Sequence, residues 1–322
     1  MLRQLASITA AASFVAWAAP GAAQTEVTIG GGPYLDIPQL SVAMDHDLWA
    51  AHGLEANVIP FQSGRDAFEA LLGSQLDFAF IAEFPAVIGA MQEQDFAVIA
   101  EMSRYTGTRL IHTGGGDITA VADLAGKPIG VTAGTNTHFM LETELKNAGV
   151  TAEIVSVGPP DIVPALARGD VFAGALFPSF YQGAKKTLDD KYGEIPVSSY
   201  QTRFILVATK AVIDEQPETV TAILEVLLDA EAVVLTDPGE AQAAVSRVVS
   251  GSLSMEDIAT AWGESEHRMN LDQSLVNLMV DEGVWIHDRG SIKGDVPTAE
   301  TMRAYVAPEF LAGIDATRAT LN

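Results

Sequence analysis

Two passages of the chain repeat the same order of helix and strand, and this repeat constrains the fold more than any other feature. Asp66–Leu71 matches Asp161–Leu166 at an offset of about 95 residues. At the same offset the apolar run Phe78–Ile81 falls on Ala173–Leu176. Any two α/β units share some of this order of helix and strand, but a register kept through helix, turn and strand favours two similar lobes.

Short apolar strands alternate with amphipathic helices around this repeat, which predicts an α/β fold with parallel-type sheets flanked by helices. Strands are predicted at Val27–Gly30, Glu55–Pro60, Phe78–Ala82, Pro128–Val131, Ala152–Val157 and Ala173–Phe177. Helices are predicted at Pro38–His52, Arg65–Leu72, Thr135–Gly149 and Asp161–Ala167.

Two crossovers are predicted to connect the lobes. The first runs through the strands Ala97–Met102 and Arg109–His112, and the second returns along Arg203–Thr209. We therefore assign 25–108 and 205–322 to lobe one and 109–204 to lobe two. The remainder is predicted to be mostly helical, with a helix from Pro217, a capping box at Ser254–Asp257, a helix Asp272–Glu282 stopped by Gly283, and a last helix Thr298–Tyr305.

Residues 1–23 have the layout of a secretory signal peptide. Arg3 is followed by the uncharged run Leu5–Ala19, and small residues precede a predicted cleavage after Ala23. The alternative, a membrane anchor, is weaker because the run falls short of the ~20 residues that a span needs. The sequence therefore predicts a periplasmic protein, secreted with its signal peptide removed.

Composition and missing motifs exclude several function classes. The formal charge of −24 argues against nucleic-acid binding, and the absence of cysteine excludes disulfides, thiolate metal sites and a cysteine nucleophile. No nucleophile-elbow, P-loop or paired-histidine motif is present. Asp45–Asp47 contains potential metal ligands, but a solvated helix face is the favoured interpretation. We expect no catalytic residues, no metal and no cofactor.

Polar and aromatic residues cluster where the predicted strands end, which is where ligands bind in parallel α/β sheets. These turns supply the candidate ligand-binding residues. They are Pro33, Tyr34, Asp36, Ser63, Gly64, Glu83, Phe84, Thr135, Asn136, Thr137, His138, Phe177, Pro178 and Ser179, with Arg203 added near the return crossover.

The run Gly134–His138 is the most informative of these turns. It combines a glycine, hydroxyl and amide side chains, and the free amides that open a helix, a composition that suits an anionic head group. Ordinary capping of the helix is the competing interpretation.

Two charged candidates each have two interpretations, between which the sequence does not decide. Glu83 follows a buried strand, so it either holds a ligand ammonium or pairs with a nearby arginine. Arg203 either neutralises an anion between the lobes or forms a salt bridge at the hinge. Tyr34, Phe84 and Phe177 are candidate apolar walls, although each aromatic residue is more often part of a core.

With these features assembled, the chain resembles the periplasmic substrate-binding proteins of ABC importers, in the group for nitrate, sulfonate, taurine and thiamine-pyrimidine precursors. The similarity is carried by Pro38–Ala43, Ala70–Phe78, Leu124–Val131, Gly134–Phe139 and Phe204–Lys210. It implies the two-lobe periplasmic binding protein fold, closing over one small molecule, and delivery to a permease in the inner membrane.

The resemblance leaves the ligand open. We expect a monomeric receptor for a small organic anion, either a taurine-like compound or an aliphatic sulfonate. We do not expect an enzyme, because the family's pyrimidine synthases depend on a cysteine cluster and this chain has no cysteine. The alternatives are a pyrimidine-type heterocycle stacked by Tyr34 and Phe177, and a sensory role without transport. The loop Phe177–Phe180 is only partly similar to that of sulfonate binders, which weakens the sulfonate assignment.

Overall fold

The computed structural model describes residues 24–31, 35–61, 63–251 and 253–321. The predicted signal peptide therefore lies outside the described residues. Within them, no helix is both long and apolar enough to cross a membrane.

The elements follow the predicted alternation of strand and helix. The first passage contains β1 (Thr25–Gly30), α1 (Pro38–Asp45), α2 (Leu48–Ala51), β2 (Leu54–Ile59), α3 (Gly64–Leu72), β3 (Phe78–Ala82), α4 (Glu83–Met91) and β4 (Phe96–Tyr105). The second contains β5 (Arg109–His112), β6 (Pro128–Val131), α5 (Asn136–Asn147), β7 (Glu153–Ser156), α6 (Ile162–Arg168), β8 (Ala173–Ala175), α7 (Tyr181–Leu188) and β9 (Gly193–Pro196).

The last third of the chain returns to the first sheet and is mainly helical. It contains β10 (Thr202–Thr209), α8 (Lys210–Glu215), α9 (Pro217–Thr236), α10 (Pro238–Val248), α11 (Met255–Trp262), β11 (Ser265–Glu266), β12 (Leu271–Asp272), α12 (Gln273–Asp288), α13 (Ala299–Arg303), α14 (Pro308–Ile314) and β13 (Ala319–Thr320).

Two sheets with the same topology form the two lobes. One sheet has the strand order β11-β4-β10-β3-β1-β2 and the other β7-β6-β8-β5-β9. In each, three parallel strands (β2-β1-β3 and β7-β6-β8) are followed by one strand that runs antiparallel to both neighbours, β10 or β5. The repeat seen in the sequence is thus α3 with β3 and α6 with β8.

The predicted parallel order is found in β2-β1-β3 and β7-β6-β8, whereas β10 and β5, which belong to the two predicted crossovers, run antiparallel to their neighbours. Both strands enter their lobe directly from the other lobe, so they start at the edge where the parallel strands end. A strand that begins at that edge must run in the opposite direction.

The chain crosses between the sheets twice, at 106–108 and at 197–201. Thr202 already pairs with Tyr105 in the six-stranded sheet. We therefore propose that the second boundary between the lobes lies within 197–201, ahead of the predicted boundary after residue 204.

Two predicted helix boundaries are wrong for local reasons. The predicted helix Pro38–His52 is broken, because Asp47 takes a left-handed conformation with φ 52°. Gly283 does not stop a helix but lies inside α12, where a Cβ would come within 2.7 Å of Met302 and Pro297. There the glycine permits close packing. The capping box at Ser254 is present as predicted.

Candidate functional site

A cleft of about 70 Å³ lies between the lobes and is bounded by residues from both sheets. The carboxyl end of β3 and the starts of α3, α5 and β10 converge on it. Its lining consists of Leu35, Asp36, Ser63, Gly64, Arg65, Phe80, Ile81, Ala82, Pro85, Thr135, Asn136, Phe177, Pro178, Ser179, Thr202 and Phe204. The predicted residues that line it are Asp36, Ser63, Gly64, Thr135, Asn136, Phe177, Pro178 and Ser179.

On one side of the cleft, helix α3 begins against the end of strand β3. Ser63 accepts a hydrogen bond from the Asp66 amide at 3.2 Å and caps the helix. A Cβ on Gly64 would lie 3.2 Å from the Ile81 Cα atom. The glycine therefore allows the helix terminus to pack directly on the strand, and this places both residues at the cleft.

On the other side, helix α5 begins without a side-chain cap. The Thr135 hydroxyl donates to the Thr132 carbonyl oxygen at 2.7 Å and pairs with the Thr137 hydroxyl at 2.9 Å. The Asn136 amide donates to the Thr202 hydroxyl at 3.3 Å, across the lobes. The side chain of Thr135, the N-cap residue of α5, makes no capping hydrogen bond, so among the described residues the positive end of this helix dipole faces the cleft without its usual cap.

Sequence reasoning missed several lining residues, of which Arg65 is the most consequential. Its Nη1 reaches the Ala133 carbonyl oxygen at 3.5 Å across the cleft, and its Nε pairs with Glu69 at 2.9 Å. Arg65 is the one basic residue among the described residues that line the cleft. Thr202 and Phe204 were also missed, although strand alternation places both on the face opposite to Arg203.

Glu83 does not line the cleft. Its side chain is fully buried behind the cleft wall, where it accepts hydrogen bonds from the Tyr200 hydroxyl and, at 2.8 Å, from the Arg203 amide. Burial raises the pKa of its carboxyl group, although hydrogen bonds from Glu282 and Tyr200 oppose the shift. The predicted ligand ammonium is therefore not supported, and neither is the predicted pairing with an arginine side chain.

Arg203 also turns away from the cleft. Its Nη1 pairs with the Glu101 carboxylate at 3.2 Å, and both side chains are buried. Arg104 pairs with the same carboxylate. Of the two alternatives for Arg203, the geometry fits the structural salt bridge.

Three further candidates, of which two belong to α5 itself, pack away from the cleft. Phe84 stacks on Phe139 with ring centroids 5.9 Å apart. His138 accepts from the Gly134 amide at 3.3 Å and pairs with Glu142 at 3.2 Å. Thr137 is buried against Thr135. None of the three lines the cleft, while Pro33 and Tyr34 lie outside the described residues.

Asp36 is a buried acid in the wall of the cleft. It also lines a second cavity of about 240 Å³ that adjoins the cleft. Burial and the nearby Glu264 raise the pKa of its carboxyl group to about 7, against a lowering hydrogen bond from Ser265. Asp36 is thus poised to be neutral at the pH where most acids are ionised.

Asp45 and His46 form a group with Glu240 that has the geometry of potential metal ligands. Arg247 already bridges the carboxylates of Asp45 and Glu240, at 2.7 and 2.6 Å. Because that guanidinium neutralises the acids, we assign no metal to the group.

The chain is similar to binding proteins by sequence. A family model described as the NMT1-like family matches residues 21–249. A putative binding protein of Brucella abortus is 26% identical over 200 residues, 59% of this chain and 61% of that protein. The taurine-binding periplasmic protein of Escherichia coli is 25% identical over 188 residues, 55% of this chain and 57% of that protein. The matches thus span about three fifths of these relatives.

Solved structures share the fold over most of the chain. The periplasmic aliphatic sulphonate binding protein SsuA of Escherichia coli superposes with a TM-score of 0.74 at 16% identity, covering 88% of this chain and 92% of that one. At that identity the likeness shows the fold alone. The predicted two-lobe periplasmic binding protein fold is confirmed.

Proposed function

The chain belongs to the NMT1-like family, and on that premise we propose that it is an exported solute-binding protein. It holds a small organic anion, such as an aliphatic sulfonate, between its lobes and delivers it to an ABC transporter permease. The relatives that are named as binding proteins support a receptor and not an enzyme. If so, incubation returns the ligand chemically unchanged.

The observation that carries the proposal is the uncapped start of α5 in the cleft. Free helix amides, the Thr135 and Asn136 side chains and the guanidinium of Arg65 converge there from two lobes. A helix terminus and a cation together favour an anion, and each favourable helix-dipole contact contributes about 0.3–1 kcal/mol.

The rest of the cleft is apolar and restricts the body of the ligand. Phe80, Phe177, Pro178 and Phe204 face the space of about 70 Å³. A compact ligand with a short apolar tail fits this wall. The aromatic walls also favour the second candidate, a small flat heterocycle, which has no need of the helix terminus.

A thermal-shift screen distinguishes the two candidates. Ethanesulfonate and taurine represent the first, and a thiamine-precursor pyrimidine represents the second. A ligand at one hundred times its Kd stabilises the folded state by about 2.7 kcal/mol. Stabilisation by the pyrimidine with none by either sulfonate would contradict the anion proposal.

Asn136→Ala is expected to weaken ethanesulfonate binding by about 1–2 kcal/mol, the loss of one hydrogen-bonding group at the anion. Thr137→Ala is the matched comparison, because Thr137 is adjacent on α5 but does not line the cleft. Isothermal titration calorimetry of both folded variants measures the difference. Equal affinities for wild type and Asn136→Ala would remove this helix terminus from the binding site.

Ligand is also expected to close the lobes. The structure has a closed arrangement, since Asn136 bonds Thr202 and Arg65 reaches Ala133 across the cleft. A ligand that contacts both lobes shifts the population toward this state. Small-angle scattering should give a larger radius of gyration without ligand than with saturating ethanesulfonate. Superimposable curves at proven saturation would mean that the cleft does not open.

A further inference from the structure

Two glutamates lie side by side in the interior behind the cleft. Glu83 is the first residue of α4 and Glu282 lies on α12, and both side chains have no solvent exposure. Burial raises the pKa of each carboxyl group, and the charge of Glu83 raises that of Glu282 further. Two adjacent acids without solvent cannot both ionise, so the pair holds one proton.

The hydrogen bonds indicate which residue carries that proton. Glu83 accepts one bond at each oxygen, from the Tyr200 hydroxyl and from the Arg203 amide, and it begins a helix, where negative charge is favoured. Among the described residues, no group other than Glu83 is available to hydrogen-bond either oxygen of Glu282. Glu282 is therefore the protonated acid, facing an ionised Glu83.

This pair is connected to the cleft through the second crossover. Tyr200, which Glu83 holds, lies within 197–201, and its hydroxyl also faces the Asn136 amide. Asn136 donates to Thr202 two residues further along. Tyr200 also contacts the next turn of α5 through Phe139, with ring centroids 5.9 Å apart. Glu83 in lobe one thus holds Tyr200 in place, and the start of α5 in lobe two packs against Tyr200 and Thr202.

We propose that Glu83 and Glu282 are positioning residues for ligand binding, which share one proton and hold Tyr200 so that Asn136 is fixed at the anion end of the cleft. The effect on affinity rests on the proposed anion site. The shared proton and the position of Asn136 do not.

The surroundings make the proton necessary. Besides each other, the acids face Tyr200 and the exposed Asp281, which adds negative charge. The guanidinium of Arg203, whose backbone amide bonds Glu83, is paired with Glu101. Because no cation among these groups offsets a second charge, ionisation of both carboxyl groups would separate them and release Tyr200.

Three substitutions separate the roles of the two acids. Glu282→Gln is the conservative variant, since its amide donates to Glu83 as the protonated acid does. Glu83→Gln directs an amide NH₂ at a site that receives two donors, so one donor loses its acceptor. Asp281→Asn removes a charge at the neighbouring exposed position of α12 and is the matched control.

The shared proton is tested without ligand, by infrared spectroscopy and by unfolding as a function of pH. At pH 7 the protonated carbonyl band of the wild type should be weaker in Glu282→Gln and unchanged in Asp281→Asn, and the part that remains in Glu282→Gln belongs to Asp36. Above about pH 5, the unfolding constant of the wild type should rise with pH relative to Glu282→Gln, by up to about tenfold per pH unit, because folding raises a carboxyl pKa. An unchanged band and parallel pH curves would refute the shared proton.

The positioning role is tested by the Asn136 side-chain amide resonance and by calorimetry with ethanesulfonate. Glu83→Gln should shift the resonance and weaken binding about tenfold, as one unsatisfied buried group would. Glu282→Gln, which keeps a donor to Glu83, should bind ethanesulfonate with an affinity within about threefold of that of the wild type. An unmoved resonance in a folded Glu83→Gln overturns the positioning role. Failure of ethanesulfonate to bind wild type contradicts only the proposed ligand.

Discussion

Replacing Arg203 by methionine is expected to lower the free energy of unfolding by about 3 kcal/mol, because it removes one partner from a buried ion pair. The Arg203 Nη1 lies 3.2 Å from the Glu101 carboxylate, which has no solvent exposure. Arg104 still pairs with Glu101. The expected decrease in the free energy of unfolding is therefore at the lower end of the range for a broken buried ion pair. Chemical denaturation measures it. The affinity of the folded variant for ethanesulfonate should change little, because the Arg203 side chain does not line the cleft.

A double-mutant cycle provides the control. Arg203→Met combined with Glu101→Gln should recover part of the stability, since the neutral amide leaves no unpaired buried charge. A fully additive loss would show that the two side chains do not interact. Normal stability with an affinity reduced tenfold or more would return Arg203 to the binding site.

The placement of Arg203 illustrates what the sequence was able to predict. Side chains alternate between the faces of a strand, so Arg203 must lie opposite to Thr202 and Phe204. That rule divides the residues of β10 into two sets, one on each face of the strand. It does not tell which of the two faces meets the cleft. The choice depends on the pairing of β10 between β3 and β4, which are distant in sequence.

The fold was predictable because its signals are local. The apolar run Phe78–Ala82 and the strand Arg109–His112 have the predicted bounds, and the repeat about 95 residues later anticipated two lobes with one topology. The antiparallel direction of β5 and β10 was not visible locally, because it follows from the side on which the chain enters each sheet.

The candidate site was predictable to the level of its turns but not of its side chains. The starts of α3 and α5 meet as expected, and they bring Ser63, Gly64, Thr135 and Asn136 to the cleft. Glu83 follows strand β3 directly, yet the turn into α4 directs its side chain inward. A one-residue change in where a helix begins alters that direction by about 100°, which sequence patterns do not resolve.

Asp36→Asn is expected to give a large pH-dependent change in stability. Burial raises the pKa of the Asp36 carboxyl group from 3.8 to about 7, and the charge of Glu264 adds to the shift. Between these values the folded protein retains a proton that the unfolded chain has lost. The wild type therefore loses stability as the pH rises from about 4 to about 7, and this loss persists above pH 7.

The asparagine variant has no such proton to lose. It should match the wild type near pH 4 and be more stable at pH 8, with an upper limit of about 4 kcal/mol for a shift of this size. His267, whose pKa burial lowers to about 4, gives a pH dependence of the opposite sign. Since both proteins contain His267, the difference between their denaturation curves isolates Asp36.

The same titration should control ligand affinity. Neutral Asp36 tolerates an anion in the cleft that it lines, whereas ionised Asp36 repels it. Ethanesulfonate keeps its charge across this range, so its affinity for wild type should fall above about pH 7 by up to about tenfold per pH unit. The Asp36→Asn variant should lose most of this pH dependence. Calorimetry from pH 5 to 9 tests this, and a wild-type affinity that is flat or rises above pH 7 would show that Asp36 does not face the bound anion.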